Sequence, residues 1–283
     1  MISVLQLGTV DYATGLALQQ QLVALRKEEK IGDVLLLLEH KPVITLGRNA
    51  KATNVIASPE LIAQRGVELF ECDRGGDVTF HGPGQLVGYS IFDLRGYPTP
   101  GGKHKTLGAV DFVRRLEEVL IRTCADFTIE TKRIPGLTGV WTNSSPPSSS
   151  NPLSSRAEQS RDLLSADPIT NVDSKLAAIG IHISRSVTSH GFALNVNPDL
   201  TYFNLIIPCG ITTNPVTSMQ KELGKKLDMT AVAESISRNF SKIFSTQILW
   251  LETLDALLGR TVGIPMKPPA ELRQLHEEDT FWS

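Results

Sequence analysis

A segment in the middle of this chain cannot join a packed core, so the fold must be built from the sequence on either side of it. Residues 143–173 are rich in serine and proline and hold few large apolar side chains. Such a segment buries too little apolar surface to offset the entropy lost on ordering it. It separates two apolar stretches that end at Trp141 and resume at Lys175. We therefore predict that these stretches pair as strands and that residues 143–173 are a disordered insertion in their hairpin.

The spacing of apolar residues predicts helices and strands in both flanks. Asp11 is the expected N-cap of the first helix, and the helix at 108–124 is expected to bury Val110, Leu116 and Leu120 on one face. The predicted helices are 11–30, a short stretch after Pro59, 108–124 and 231–244. The predicted strands are 33–39, 43–46, 67–71, 86–94, 137–142, 175–184 and 187–196.

Strands mixed with helices indicate an α/β (α+β) domain, with a mixed sheet flanked by helices. Val43–Leu46 is expected to pair beside the strand at 33–39. The strands at 175–184 and 187–196 are expected to form a hairpin closed near Arg185. Glycines crowd the sequence between 74 and 85, which we expect to be a loop.

Composition and charge exclude several classes of protein. The 283 residues are 41% hydrophobic and 20% charged, which is typical of a soluble globular chain, and the formal net charge of -2 argues against sequence-independent nucleic-acid binding. No apolar run is long enough to span a bilayer, and the first residues predict neither a signal nor a transit peptide. The cysteines are too scattered for a disulfide framework, which indicates a reducing compartment, and Cys72 and Cys124 are expected to be buried and inert.

The glycine-rich segment from Arg74 to Gln85 is the first candidate for chemistry. Glycines let backbone amides approach a ligand closely, while Arg74 and His81 add a cation and a titratable group. A glycine-rich hairpin with a buried, hydrogen-bonded His81 explains the same residues. The segment fits neither the Walker A loop nor the dinucleotide-binding fingerprint, and it precedes a strand, so it does not indicate a nucleotide site.

Three further residues could react or assist a reaction. Lys175 heads an apolar strand, where it is either a solvated strand end or a partly desolvated base. Cys209 stands between a proline and a glycine, on a turn that can present a thiol to a cavity. Spacing leaves open whether Cys209 pairs with His81, His190 or Lys175. A zinc site of His81, His190 and Cys209 is a weaker alternative, because it lacks a close pair of ligands.

Four stretches of the chain, in this order, resemble the lipoyl(octanoyl) transferase family. The likeness runs from about His40 to Met219 outside the insertion, and it implies the fold shared with lipoate and biotin protein ligases. It also implies one catalytic domain at residues 1–250, with residues 251–283 as a C-terminal extension. The matching stretches are Arg74–Leu94, Pro135–Trp141, Ser174–Arg185 and His190–Met219.

The resemblance implies a reaction and its residues. Octanoate would pass from the phosphopantetheine thioester of an acyl carrier protein to a lysine of a lipoyl domain. Such domains occur in 2-oxoacid dehydrogenase complexes and in the glycine cleavage H protein, and no ATP, metal or other cofactor is expected. Cys209 would be the nucleophile, activated by Lys175, with His190 in a supporting role. The implied acyl site comprises Arg74, Gly75, Gly76, Asp77, Val78, Thr79, Phe80, His81, Ala178, Ile179, Gly180, Gly191, Phe192 and Ala193.

The implied carriers are typically acidic, so a basic rim is expected around the site. Backbone amides near Gly76 or at Gly210 are candidates for an oxyanion hole. The candidates for the basic rim are Lys103, His104, Lys105, Lys221, Lys225 and Lys226.

Two alternatives to the transferase remain at this point. An ATP-dependent lipoate or biotin ligase on the same fold would activate a free acid without a catalytic cysteine, and a non-catalytic homologue would only bind an acyl group or a carrier. Cys209 between proline and glycine argues against the ligase, as does the lack of the glycine-rich loop typical of ligases. The insertion favours a eukaryotic chain, in which this family works in mitochondria, whereas the missing transit signature favours the cytoplasmic alternative.

Overall fold

The computed structural model describes residues 1–99, 106–142, 173–211 and 213–259, and gives side chains through residue 257. Apart from Asp173, the predicted insertion lies outside the described residues. So do residues 260–283 of the predicted C-terminal extension, and the rim candidates Lys103, His104 and Lys105.

The described residues form eleven strands and six α-helices, mixed along the chain. The strands are β1 (Ile2–Val10), β2 (Asp33–His40), β3 (Val43–Leu46), β4 (Glu68–Glu71), β5 (Val78–His81), β6 (Gln85–Ile91), β7 (Thr131–Ile134), β8 (Leu137–Thr142), β9 (Ser174–Ser184), β10 (Val187–Asn195) and β11 (Ile248–Trp250). The α-helices are α1 (Tyr12–Lys27), α2 (Pro59–Gln64), α3 (Ala109–Asp126), α4 (Met219–Leu223), α5 (Met229–Phe244) and α6 (Leu254–Gly259), with short 3₁₀ turns that include Leu200–Leu205 and Pro208–Gly210.

An eight-stranded mixed sheet carries the fold, in the order β11-β1-β2-β6-β10-β9-β8-β7. β1 runs parallel to β2 and β11, and the other pairs are antiparallel. Helices cover both faces, which explains why β2 is apolar almost throughout. Leu35 and Leu37 pack in the cluster that contains α3 and α5, whereas Leu36 and Leu38 pack in the cluster beneath α1.

The predicted helices α1 and α3 are confirmed, with one correction to the face that α3 buries. Asp11 caps α1 and accepts a hydrogen bond from the Thr14 amide. Phe112 and Leu116 of α3 are fully buried, but Val110 is 72% exposed. Two residues turn a helix by about 200°, so Val110 faces away from the core that receives Phe112.

A second, three-stranded sheet has the order β4-β3-β5. The expected pairing of Val43–Leu46 beside the strand at 33–39 is wrong, because β1 and β6 already occupy both edges of β2. β3 instead pairs parallel to β4 and antiparallel to β5. The segment Val78–His81, expected to be a loop, is therefore a buried strand.

The strand pair that flanks the insertion is confirmed. β8 and β9 are antiparallel, with Trp141 opposite Lys175 and Thr142 opposite Ser174. The predicted β9–β10 hairpin is also confirmed, and Arg185 and Ser186 both have positive φ, as a tight two-residue turn requires. Among the described helices, none has both the length and the apolarity to cross a bilayer.

Candidate active site

The structure brings Cys209 together with Lys175. The Lys175 Nζ atom donates a hydrogen bond to the Cys209 Sγ atom at 3.1 Å. The Lys175 side chain is buried, and its Nζ lies 5.2 Å from the centroid of the Trp141 ring. Spacing left open whether Cys209 pairs with a histidine or with Lys175, and in the structure the contact is with Lys175.

The backbone of Lys175 is held from two sides. Trp141 of β8 lies opposite it in the sheet, and on the other side the Lys175 amide donates to Pro215 O at 2.8 Å while its carbonyl accepts from Thr217 N at 3.0 Å. Gly139, at φ 130°, lies beneath its side chain, and a Cβ there would approach Lys175 Cε to 3.0 Å and Ala177 O to 2.6 Å. A glycine at 139 therefore leaves room for the lysine to reach the thiol.

Cys209 lies on the turn that the sequence predicted. It has φ 56° and ψ 20°, a left-handed conformation that costs about 1 kcal/mol or more for a residue with a Cβ. The turn is fixed by hydrogen bonds from Gly210 N to Ile207 O and from Ile211 N to Pro208 O. The surrounding structure thus holds the thiol in a strained position, as is common at reactive residues.

Cys209 lines a cleft whose walls come from the glycine-rich segment and from β5, β6, β9 and β10. The predicted acyl-site residues line this cleft except for Asp77, Val78 and Phe80. His190 lines it too. Tyr12, Val87 and Tyr89 also form its walls, although no local sequence pattern marks them as site residues.

The three exceptions follow from the pairing of β5. Successive side chains of a strand point to opposite faces, so Thr79 and His81 face the cleft while Val78 and Phe80 pack in the cluster of the small sheet. Asp77 accepts hydrogen bonds from Asn54 Nδ2 at 2.5 Å and Val78 N at 2.8 Å. These three predicted acyl-site residues therefore lie outside the lining of the cleft.

Glycines bring the walls of the cleft close together. Gly75 N donates to Ile181 O at 3.0 Å, which ties the glycine-rich segment to β9. A Cβ on Gly180 would lie 2.6 Å from Gly75 O, and one on Gly191 would lie 2.1 Å from Gly88 O. The glycines at 180 and 191 are thus required by close backbone approach.

Arg74 fixes the glycine-rich segment through neutral partners. Its buried guanidinium donates to Thr45 O at 2.7 Å, to Thr45 Oγ1 and to Gly75 O. The Arg74 carbonyl accepts from Arg48 N at 3.0 Å. Side chain and backbone together hold Gly75 and Gly76 against the cleft.

Burial keeps the histidines near the cleft uncharged. It lowers the pKa of His81 to about 3 and that of His40 to about 4. His81 Nδ1 donates to Gln85 Oε1 at 2.6 Å, so the expected buried, hydrogen-bonded His81 is confirmed. His40 Nδ1 donates to Val10 O, and its Nε2 accepts from the Tyr89 hydroxyl at 2.6 Å. Neither imidazole carries a positive charge at neutral pH.

His190 occupies a strained position in the cleft wall. It has φ 58°, is almost fully buried, and its amide donates to Gln19 Oε1. Its Nε2 bonds Asp73 Oδ1 at 2.7 Å, and Asp73 Oδ2 lies 3.1 Å from His182 Nδ1. Burial lowers the pKa of His190, and the bond to Asp73 partly opposes this shift.

The other two cysteines differ from each other. Cys124 is fully buried, and burial raises the pKa of its thiol to about 12. Cys72, expected to be buried, is half-buried, and its Sγ donates to Leu46 O at 3.4 Å. Within the described ranges, no three His, Cys, Asp or Glu side chains gather in a group that could hold a metal ion, so the zinc alternative gains no support.

Comparison with known proteins points in one direction. Residues 11–241 match the family described as the lipoyl protein ligase A/B catalytic domain. The chain is 56% identical over 279 residues to an octanoyltransferase of Koribacter versatilis, covering 99% of this chain and 98% of the relative. It is 50% identical over 260 residues to an octanoyltransferase of Acidobacterium capsulatum, covering 91% and 96%.

Solved structures show the same fold at low sequence identity. A bipartite lipoate protein ligase from Thermoplasma acidophilum aligns with a TM-score of 0.62 at 14% identity, over 98% of this chain and 91% of that one. Lipoate-protein ligase A bound with ATP aligns with a TM-score of 0.61 at 12% identity, over 98% and 94%. The predicted fold class, a mixed sheet flanked by helices as in lipoate ligases, is thereby confirmed.

Proposed function

Since this chain belongs to the octanoyltransferases of the lipoyl protein ligase A/B catalytic family, we propose that it moves the octanoyl group in two steps through a thioester on Cys209. The donor is the phosphopantetheine thioester of an acyl carrier protein, and the acceptor is a lysine of a lipoyl domain. The contact of 3.1 Å between Lys175 Nζ and Cys209 Sγ carries this proposal, because it joins a base to a nucleophile that lines the cleft.

In the first step the Lys175 amine takes the proton of the Cys209 thiol, since the thiolate is the reactive form. The thiolate attacks the carbonyl carbon of the octanoyl thioester, a new carbon–sulfur bond forms, and the bond to the carrier arm breaks. The departing thiolate takes the proton from Lys175. One thioester replaces another, so the step is nearly isoenergetic and consumes no ATP.

The tetrahedral intermediate of this step needs hydrogen-bond donors for its oxyanion. Of the two candidates, the Gly210 amide already donates to Ile207 O at 3.1 Å. The Gly76 amide lies in the cleft wall and has no acceptor among the described residues. Gly76 is therefore our candidate for the oxyanion hole.

The acyl chain is expected to lie against the apolar walls of the cleft. Val87, Ile179, Phe192 and Ala193 supply these walls. The neutral histidines and the protonated tyrosine hydroxyls add no charge, because burial raises the pKa of Tyr12 and of Tyr89. Each buried CH₂ group contributes about 0.8 kcal/mol, so the chain supplies much of the binding free energy.

In the second step the neutral amine of the acceptor lysine attacks the Cys209 thioester. The carbon–nitrogen bond forms, the carbon–sulfur bond breaks, and Lys175 passes the proton of the amine to the Cys209 thiolate. Conversion of a thioester to an amide is downhill, so this step also needs neither ATP nor a metal. Two bulky carriers visit the same thiol in turn, and ping-pong kinetics follow.

The test is the intact mass of the protein after incubation with octanoyl-acyl carrier protein in the absence of ATP. We expect one octanoyl adduct that hydroxylamine removes. Cys209→Ala should abolish the adduct, and Lys175→Met should slow its formation at least about a hundredfold, the size of a typical general-base contribution. Cys72→Ala is the matched control and should acylate at the normal rate.

Other results would change the assignment. Activity that appears only with ATP and free octanoate would place the chain with the ATP-dependent ligases, and binding of the carrier without an adduct or transfer would make it a non-catalytic homologue. The relatives reported above come from bacteria, which have no mitochondria. Their origin favours the cytoplasmic alternative over the mitochondrial one, and subcellular fractionation of the source cells tests it.

A further inference from the structure

A second cavity adjoins the turn that carries Cys209. Cys209 lines the cleft, whereas its neighbours Pro208 and Ile211 line this groove, which measures about 1270 Å³ with its open mouth. The turn therefore forms part of the wall of both cavities. A molecule in the groove would therefore contact the turn that carries the reactive thiol.

The groove is also tied to Lys175. Pro215 and Val216 line it, and this segment pairs with Lys175 as a parallel β-bridge. The Lys175 amide donates to Pro215 O at 2.8 Å, and Thr217 N donates to Lys175 O at 3.0 Å. Both members of the reactive pair therefore adjoin the groove wall. Cys209 follows Pro208 in the chain, and Lys175 is hydrogen-bonded to Pro215.

The lining of the groove is mostly apolar, with the neutral polar residues Thr201, Asn204 and Asn214 and a single charged residue. Ile56 is 57% exposed and contributes a large apolar surface, and Asn204 contributes an amide. Lys221 is the only charged residue among the described residues of the lining, and in the described part of the chain it forms no ion pair. An unpaired cation at an apolar groove complements a ligand that combines an apolar chain with an anion.

We propose that this groove holds the phosphopantetheine arm of the octanoyl donor, with the phosphate at Lys221 and the thioester end at Cys209. The proposal rests on the proposed function. The arm is a long, thin chain with methyl groups and amides along it and one phosphate at its far end, and the groove offers an apolar lining, side-chain amides and one cation to these groups. An acceptor lysine brings no phosphate and only a short side chain, so it does not need such a groove.

The experiment compares two small donors, octanoyl-4′-phosphopantetheine and octanoyl-pantetheine, which differ only in the phosphate. The readout is the donor concentration that gives half-maximal rate of adduct formation on Cys209. The wild-type chain should prefer the phosphorylated donor. Lys221→Ala should raise the half-saturating concentration of that donor about three- to fivefold, leave that of octanoyl-pantetheine unchanged, and remove the salt dependence of the preference.

Matched variants separate the groove from general surface effects. Lys30→Ala, which removes an exposed lysine beyond α1, should behave as wild type. Ile56→Glu should raise the half-saturating concentration of both donors, and of the phosphorylated donor more. Val110→Glu places the same charge on another exposed apolar residue and should change neither.

Each contrary result has a distinct meaning. Equal use of the two donors by the wild-type chain, with no effect of Lys221→Ala or Ile56→Glu, would overturn the groove assignment and leave the proposed function intact. A defect confined to transfer from acylated Cys209 to a lipoyl domain would reassign the groove to the acceptor. Failure of the wild-type chain to form an adduct from either donor or from octanoyl-acyl carrier protein would instead defeat the proposed function.

Discussion

At the scale of single residues, the chemistry of the site depends on which side chains carry charge. Arg74 brings a guanidinium to the cleft wall, whereas His40 and His81 are held neutral by burial. A buried imidazole that is neutral in the folded protein becomes protonated on unfolding when the pH is below the ordinary pKa of histidine. This difference makes stability depend on pH.

The sign of this dependence can be stated for His40. Its pKa is about 4 in the folded chain and 6.5 as an ordinary histidine, so between these values the unfolded chain binds more protons. Acidification therefore lowers the free energy of unfolding, by about 1.5 kcal/mol between pH 6.5 and about pH 5 for one such group. The window lies above the range in which most carboxyl groups titrate.

We predict that His40→Gln reduces the loss of stability over this pH range by about that amount. The variant is less stable at neutral pH, because an amide does not reproduce the geometry of both imidazole hydrogen bonds, to Val10 O and from the Tyr89 hydroxyl. Urea denaturation at a series of pH values measures both effects. An unchanged slope in the variant would mean that His40 does not titrate with a depressed pKa.

At the scale of the elements, the hairpin of β7 and β8 positions the reactive lysine. The pairing of β8 with β9 shifts register between Val140 and Trp141, and the Gly139 amide donates to the fully buried Glu117 carboxylate at 3.2 Å. The bulge leaves Gly139 beneath Lys175. A side chain at 139 must therefore displace either the lysine or the carbonyl of Ala177.

We predict that Gly139→Ala lowers the free energy of unfolding by about 2 kcal/mol or more and slows acylation of Cys209 at least about tenfold. Gly136→Ala is the control, since Gly136 also has positive φ but a Cβ there meets nothing within 4 Å. Gly136→Ala should lower the free energy of unfolding by about 1 kcal/mol and leave the acylation rate unchanged. Equal acylation rates for the two variants would show that Gly139 does not position Lys175.

The elements also show where local sequence patterns fail. Long periodic segments such as α1 and α3, and apolar runs such as β2, were predicted to within a few residues. β1, β5, β7 and β11 were missed. β5 is short and surrounded by glycines, and β11 has only three residues, so their extended form depends on pairing with β3 and β1, which are distant in sequence.

At the scale of the whole molecule, two parts of the chain separated by the insertion build one site. Arg74 and His81 come before residues 143–173, whereas Lys175, His190 and Cys209 come after. The β8–β9 pair joins the two parts at Trp141 and Lys175, directly beside the reactive thiol. Because Thr142 lies opposite Ser174 at the end of this pair, a short loop is enough to join the two strands.

We predict that replacement of residues 144–172 by Asn-Gly keeps the acylation rate and raises the free energy of unfolding by about 1 kcal/mol, because a shorter loop loses less entropy on closure. The replacement retains Asp173, whose carboxylate bonds Lys132 at 2.8 Å. Urea denaturation and the mass assay measure the two outcomes. Loss of acylation in a folded variant would assign the insertion a role in the reaction.

The sequence by itself determined the residue types of the site and their order. Cys209, Lys175 and the glycine-rich segment stand in local sequence patterns that can be recognised without knowing what these residues contact. It also predicted the strand pair across the insertion. The family resemblance implied that Lys175 activates Cys209, but spacing left the partner open and only the tertiary structure decided the contact, since the two residues are 34 positions apart and meet through the pairing of β9 with Pro215–Thr217. The structure likewise decided which side chains of Val78–His81 face the cleft, because the orientation of a strand follows from its neighbours.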